Sequence, residues 1–427
     1  MPQDRDDVAF RILRRESAML SEYVSRKYQA DRRPPVDGNL IKNRAAIVGI
    51  GQTRFSRDSQ RDELDMACEA IKAAVDDAGL KTEDIDGMEM FTIDRLAMPT
   101  VVSSLGMKNL RFTSEVSFGG GAACAVTMHA AAAVVTGAAD YVVCFRSLNE
   151  ASGQRYGRGD SYAEYMLTAV TPHYGYHWPF GFVTPLAWAG VWGKRWMYEF
   201  GITREQIGWW PVVLREYAQN NPDAIFYNRP ITHQDYMDSP MIVDPLKLHD
   251  CCVDTDGACA YIVTTVERAR DLKQTPAIML AASQSCPIEQ EIQTIYNRPI
   301  ISGLVETWYM GQELYRIAGV GPDDIDVAQI YDPYSIGGIL QLEELGFCER
   351  GESGKFIEGG DNIRIGGKIP VNTSGGLLSE AYIHGFNLII EGVRQIRGTS
   401  YNQVPDVELS MVTAGPGVPS SGIILRR

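Results

Sequence analysis

Two phenols, one imidazole and a run of glycines are the residues whose types and spacing could do chemistry in this chain. Tyr382 and His384 lie two positions apart in Ser374-Gly375-Gly376-Leu377-Leu378-Ser379-Glu380-Ala381-Tyr382-Ile383-His384-Gly385. This reads as a glycine-flanked turn leading into an apolar helix that contains Leu388, Ile389 and Ile390. A lone histidine is more often structural than catalytic, and the tyrosine beside it adds weight to a functional reading without deciding it. Tyr331 stands in Ile330-Tyr331-Asp332-Pro333-Tyr334, where a predicted strand gives way to a helix. Polar groups at the carboxyl end of an α/β strand are favoured site positions. Asp332 before Pro333 reads equally well as that helix's cap. Gly119-Gly120-Gly121-Ala122-Ala123 lies between an extended segment and another helix. Bare amides at a helix start can hold a developing oxyanion, and Gly375 and Gly376 are candidates for the same role. Close packing alone explains the glycines about as well.

Several other chemistries are disfavoured. The glycine run is not GxGxxG and no P-loop lysine follows it, so a nucleotide site has no support. The eight cysteines, Cys68, Cys124, Cys144, Cys251, Cys252, Cys259, Cys286 and Cys348, form no CxxC pair, and no histidine stands at zinc-finger spacing from one. Most sit among apolar residues and read as buried thiols. The segment from His249 to Gly257 has several carboxylates but not EF-hand spacing, so turn capping by aspartate is expected there and no metal site. A net charge of −14 argues against nonspecific contact with nucleic acid or an anionic membrane. No apolar run reaches spanning length, and the charged start Met1-Pro2-Gln3-Asp4-Arg5 does not read as a signal peptide. A cytoplasmic location is the expectation.

These groups need elements to hold them. With 427 residues, 45% of them hydrophobic, the chain can build two or three domain-sized units. Ala45–Ile50 reads as a buried strand, and Leu64, Ala67, Cys68, Ile71, Val75 and Ala78 recur at helical spacing before Gly79. The run from Ala78 through Gly79, Asp84 and Ile85 to Asp86 is echoed from Ala318 through Gly319, Asp324 and Ile325 to Asp326. A second echo pairs Gly119–Gly121 with Ser374–Gly376, each placed before a helix and then a strand (Tyr141–Phe145 and Leu409–Val412). Two copies half a chain apart are too few for a solenoid, which needs at least ~3 repeats. They predict duplicated α/β halves packed together. The expected division is an N-terminal arm and linker over 1–43, a first half over 44–270 and a second over 271–427. Between about 150 and 245 the periodicity weakens and aromatics gather, among them His173, His177, Phe182, Trp192, Trp196, Trp209 and Trp210. That stretch reads as a cap on the core or as an inserted loop domain forming an apolar substrate wall.

As a set, the motifs resemble the thiolase superfamily, closest to its sterol-carrier-protein-x and lipid-transfer-protein branch, over about residues 45–427. The resemblance rests on Ala45–Thr53, on Asp250-Cys251 with Thr255-Asp256-Gly257-Ala258, and on Val371-Asn372-Thr373-Ser374-Gly375-Gly376. Leu342–Cys348 and the Gly359-Gly360-Asp361-Asn362 turn add to it. It implies the thiolase fold, an α/β architecture of two duplicated halves in five layers, αβαβα. The departures matter most. The position of the family's nucleophilic cysteine falls on Gly120, and Cys124 lies a turn further on. The histidine before Asp-Cys-Phe becomes Tyr331, and that of Gly-His-Pro becomes Tyr382. The pattern is similar to that of the steroid side-chain aldolases of this branch. It implies noncovalent retro-aldol cleavage of a bulky, steroid-derived β-hydroxyacyl-CoA, with Tyr331 as base, Tyr382 as acid or enolate stabiliser and His384 as a second donor. It further implies a homodimer, a small OB-fold partner with a zinc ribbon, and no cofactor beyond the CoA of the substrate. Two other readings stand beside it: an acyltransferase using a displaced Cys124 or Cys251, and a noncatalytic lipid-transfer protein.

Overall fold

A computed structural model describes residues 39–116, 120–153, 178–182, 184–286, 300–416 and 419–427. Gly119, nearly all of the N-terminal arm and the aromatics up to His177 lie outside the described residues.

The first half opens with β1 (Ala45–Gln52), buried along most of its length. Helix α1 (Glu63–Ala78) starts where the Asp62 side chain accepts the Asp65 amide, and it stops at Gly79, whose φ of 75° suits a residue without Cβ. Its buried stripe, Met66, Ala67, Ala70, Ile71, Ala74, Val75 and Ala78, includes Ala67, Ile71, Val75 and Ala78 of the predicted one, whereas Leu64 and Cys68 are only partly buried at its edge. It lies so close to β1 that a Cβ on Gly49 or Gly51 would fall 2.2 Å from a helix carbonyl. There follow β2 (Gly87–Phe91), β3 (Phe112–Val116), α2 (Ala123–Thr136) and β4 (Val142–Asn149). Next come α3 (Pro185–Phe200), α4 (Trp209–Asn220), a small ribbon of β5 (Met241–Val243) and β6 (Leu246–Lys247), and β7 (Asp256–Thr265). The second half contains β8 (Ala277–Ser285), α5 (Val305–Ala318), β9 (Val327–Gln329), α6 (Ser335–Glu344), α7 (Gly376–Ser379), α8 (Phe386–Arg397), β10 (Leu409–Ala414) and β11 (Ser420–Arg426).

Nine strands form one mixed sheet in the order β3-β2-β4-β7-β1-β8-β11-β10-β9. Its two ends repeat each other. β2 is parallel to β4 as β9 is to β10; β4 and β7 are antiparallel as are β10 and β11; β7 and β1 are antiparallel as are β11 and β8. Among the described residues, Ala46 with Ile278 and Ile47 with Ala277 join the two sets. The first echo is visible here, since α1 and α5 both end on a left-handed glycine and a one-turn 3-10 helix that leads into β2 or β9. α1 covers the outer face of the first strand set and α5 the outer face of the second. α2 and α8 touch strands of both sets and fill the middle, burying Ala45, Ile47 and Tyr261 from one half with Met279, Val412 and Ile423 from the other. The result is five layers, helix, sheet, helices, sheet, helix.

The second echo is misplaced. Gly375 and Gly376, at φ 113° and 61°, open only the four-residue α7, and the long helix α8 begins ten residues later at Phe386. The aromatic stretch also differs from a substrate wall in its described part. Trp188, Trp192, Trp196 and Trp210 are buried in the core of the second half, with Ile336, Ile339 and Leu340. The indole N–H groups of Trp196 and Trp210 donate to Glu343 and Asp332, 3.3 and 3.1 Å away. Its tryptophans cap a core: α3 buries one stripe and exposes Lys194, Arg195 and Tyr198, whereas α4 is buried on nearly every side.

Candidate active site

The end of β9, the turn before α8 and the start of α2 converge at the middle layer. Tyr331, two residues past β9, is held at both main-chain groups: its N–H donates to Thr413 Oγ1 (3.1 Å) and its carbonyl accepts from Gln341 Nε2 (2.6 Å). Tyr382 is fixed by its amide, which donates to Thr255 Oγ1 at 3.0 Å. Between these anchors the two hydroxyls meet at 3.1 Å, with ring centroids 6.5 Å apart and planes inclined by 59°. Tyr331 is buried and Tyr382 partly so.

Gly120 explains how Tyr331 fits. A Cβ there would lie 1.7 Å from the Tyr331 hydroxyl oxygen. A Cβ on Gly121 would lie 2.0 Å from the Pro419 carbonyl, so this glycine serves close packing as well. Gly375 and Gly376 sit beneath α4 and are buried. Added Cβ atoms would meet Ala218 at 2.8 Å and Asn372 Nδ2 at 2.8 Å, and the Gly375 amide already donates to the Asn372 carbonyl. Tyr331, Tyr382, His384 and Gly120 are thus brought together, whereas Gly375 and Gly376 have a packing explanation of their own.

His384 is fully buried and edge-on to Tyr382, with ring centroids 5.0 Å apart. Its φ of 47° is left-handed, and Gly385 follows at 85°, which turns the chain into α8. A non-glycine residue there carries a backbone cost of order 1–2 kcal/mol. Its Nδ1 accepts the Nε–H of Arg146 at 3.1 Å, and the Arg146 guanidinium is ion-paired with Asp94. Burial, reinforced by the Arg146 charge, lowers the His384 pKa well below its usual value, so the ring is neutral. Burial first, and then Tyr331, Cys252 and Glu150, push the Tyr382 phenol well above its usual pKa. Tyr382 therefore keeps its proton at neutral pH.

Asp94 and Arg146 escape a motif-based reading. Arg146 follows the apolar run Val142-Val143-Cys144-Phe145 in the buried strand β4, and a charge in such a strand must find a buried partner. That requirement is the one signal in the sequence that could have found it. Asp332 does not cap α6. One oxygen accepts the Leu377 amide at the start of α7 and the other the Trp210 indole. Burial raises its pKa to about 8. The carboxylates near His249 cap turns as expected: Asp250 accepts from the Lys247 amide and Tyr236, and Asp256 from the amides of Ser59, Ala151 and Ser152. Cys124 is buried against the Val412 carbonyl, and burial pushes its thiol far up. The Cys251 thiol donates to the Lys247 carbonyl at 3.5 Å.

The repeated strand order and the shared helical middle layer define a thiolase-fold protein. Residues 294–425 match the thiolase C-terminal domain-like family. Human mitochondrial 3-ketoacyl-CoA thiolase shares the fold at TM-score 0.65 and 14% identity, over 90% of this chain and 99% of that one. Within that fold, the chain belongs to the steroid side-chain-cleaving aldolases. It is 48% identical to the steroid side-chain-cleaving aldolase of Thermomonospora curvata over 91% of its length and 99% of the relative's. It is 46% identical to the 17-hydroxy-3-oxo-4-pregnene-20-carboxyl-CoA lyase of Mycobacterium tuberculosis, over 90% and 100% of the two chains. The solved Ltp2-ChsH2(DUF35) aldolase superposes at TM-score 0.85 with 46% identity, covering 90% of this chain and 98% of that one.

Proposed function

We propose that this chain cleaves the Cα–Cβ bond of a steroid-derived β-hydroxyacyl-CoA by a retro-aldol reaction, using Tyr331 and Tyr382 and no covalent intermediate. The observation that carries this reading is the phenol pair itself, seated where residue 120 would otherwise project a nucleophile. The base removes the β-hydroxyl proton and the C–O bond becomes a carbonyl. The Cα–Cβ electron pair moves onto Cα and into the thioester oxygen, and the resulting enolate is protonated at Cα. One proton is taken from the β-hydroxyl by Tyr331 and one is given to Cα by Tyr382. Transfer of a proton from the Tyr331 hydroxyl to the Tyr382 phenolate across their 3.1 Å hydrogen bond then returns both phenols to their starting states.

Tyr331 is the base and Tyr382 the donor in this assignment. Tyr382, with its pKa raised by burial, suits a group that gives a proton or a hydrogen bond. Its hydroxyl can also stabilise a Tyr331 phenolate across 3.1 Å. The Gly120–Gly121 amides and His384 are the proposed donors to the thioester oxygen.

The similarity to a solved aldolase named for two components, Ltp2 and ChsH2, supports a second subunit. We assign this chain the catalytic subunit of a homodimeric core that engages a small OB-fold, zinc-ribbon companion. The described part of the proposed loop domain, residues 178–182 and 184–245, serves as a cap. Among the described residues no helix is long and apolar enough to cross a membrane, and a cytoplasmic location remains part of the proposal.

Turnover of a steroid β-hydroxyacyl-CoA tests the reading. Release of a ketone or aldehyde together with a shortened acyl-CoA, without free CoA, is expected. Release of free CoA, or transfer of the acyl group to a thiol, would refute it. Co-purification from the native host with a small zinc-containing protein is the expected result for the companion.

A further inference from the structure

Arg146 projects from β4 into the middle layer and is only 2% exposed. It has three neighbours of consequence. Its guanidinium pairs with Asp94, each side chain 3% exposed. Its Nε–H donates to His384 Nδ1 at 3.1 Å, and its guanidinium carbon lies 5.5 Å from the centre of the Phe91 ring. Asp94 is itself held in place, since its other oxygen accepts the Phe91 amide at 2.8 Å. The guanidinium is therefore fixed by a buried carboxylate on one side and presents an N–H to the imidazole on the other.

An arginine side chain has five donors and no acceptor. The ring nitrogen facing it must carry a lone pair. A neutral imidazole with its lone pair on Nδ1 carries its hydrogen on Nε2. We propose that Arg146 is a positioning residue for the reaction: it holds His384 in the neutral Nε2–H tautomer, making the ring a fixed hydrogen-bond donor beside Tyr382. The Asp94–Arg146 pair acts through His384 and does not touch the reacting atoms.

This assignment rests on the aldolase reading for its consequence, but not for its chemistry. A donor imidazole supplies a hydrogen to an oxygen that gains charge, as the thioester oxygen does when the enolate forms. A ring free to change tautomer would present Nε2 as a lone pair to that same oxygen for part of the time and oppose the reaction. Arg146 also disfavours a second proton on the imidazole, so the ring is kept from becoming a competing acid next to Tyr382.

The experiment is 15N NMR of the full-length, histidine-labelled chain without substrate, assigned with His384→Gln, followed by turnover of the β-hydroxyacyl-CoA. In the wild type, His384 is expected to show a protonated Nε2 and an unprotonated Nδ1. Arg146→Met removes the donor but strands the Asp94 carboxylate, so Arg146→Met with Asp94→Asn is the variant to use if the single change fails to fold. In either variant the His384 nitrogens should move toward a mixed-tautomer pattern. Turnover should fall about 100-fold with KM changed far less, the size seen on losing one oxyanion donor. Arg146→Lys, which keeps a cationic donor, should restore part of both signals. A wild-type ring protonated on Nδ1, or a folded variant with an unmoved His384 pattern, would overturn the assignment whatever the reaction proves to be. A shifted tautomer with full turnover would overturn the role in cleavage. A wild-type chain that shows the expected tautomer yet fails to cleave the thioester would instead count against the aldolase reading.

Discussion

The hydroxyl of Tyr331 occupies the volume that a β-carbon on residue 120 would need, 1.7 Å from its ideal position. Glycine at 120 and tyrosine at 331 are therefore one structural decision. Any side chain at 120, cysteine included, requires Tyr331 to move.

Gly120→Ala should thus displace Tyr331 and abolish cleavage. Overpacking of this kind costs about 1–3 kcal/mol, which denaturant unfolding can measure. In a chain that already carries Tyr331→Ala, adding Gly120→Ala should cost almost nothing further. A double-mutant cycle that finds the two changes additive would show that the contact is not the cause.

Loss of either hydroxyl should stop turnover without unfolding the chain. Tyr331→Phe and Tyr382→Phe each keep the ring and are expected to lower kcat by about 100-fold or more, in the range of general acid–base catalysis. The double variant should be little worse than either single one, because the phenols act as a pair. Circular dichroism and the unfolding midpoint should stay close to wild type. Near-normal kcat in both single variants would remove the tyrosines from the mechanism.

Thiol chemistry should be dispensable. Cys124 is buried with its thiol held well above the usual pKa, so it has neither the access nor the charge of a nucleophile. Cys124→Ser and treatment with a thiol-blocking reagent are both expected to leave at least half of the activity. Inactivation that tracks labelling of Cys124 or Cys251 would favour acyl transfer instead.

Stability should fall as the solution becomes alkaline. Burial raises Asp332 and Glu89 to about 8, Glu344 and Glu380 to about 7 and Asp250 to about 6. The folded chain then binds protons that the unfolded chain, with ordinary carboxyl values near 4, has already released. Such groups stabilise fully below the unfolded pKa, and that contribution is lost as pH rises through about 6–8. The unfolding midpoint should be lower at pH 9 than at pH 5.5. Asp332→Asn, which keeps an acceptor for Leu377 or Trp210, should flatten part of that slope. A midpoint that rises with pH across this range would contradict the assignment.

Elements with a single buried face were legible in the sequence. The α1 stripe and the glycines ending α1 and α5 follow directly from local periodicity and capping, and the echo around Gly79 and Gly319 reveals the duplication. The resemblance puts the family's nucleophile position at Gly120, counted back from the Gly137-Ala138-Ala139-Asp140 turn, and the structure sets the Tyr331 hydroxyl against that glycine. What periodicity could not reach are contacts made across the chain. Trp192, Trp196 and Trp210 read as either a core cap or a substrate wall until the second half folds over them. The second echo fails because Gly375 and Gly376 answer to Ala218 and Asn372, not to the helix that follows. The Asp94–Arg146–His384 chain joins residues up to 290 positions apart, and only the middle layer brings them within reach.

The repeat also has a consequence for where the chemistry resides. Gly120, Arg146 and Asp94 come from one copy of the fold; Tyr331, Tyr382 and His384 come from the other. On the proposed assignment neither copy holds a working set, and among the described residues the sheet joins the two sets through two residue pairs. The proposed reaction therefore belongs to a seam. A substitution that loosens the middle layer, where α2 and α8 touch strands of both sets, is expected to silence the enzyme without altering a site residue, so its activity reports on the fit between the two copies as sensitively as on any single side chain.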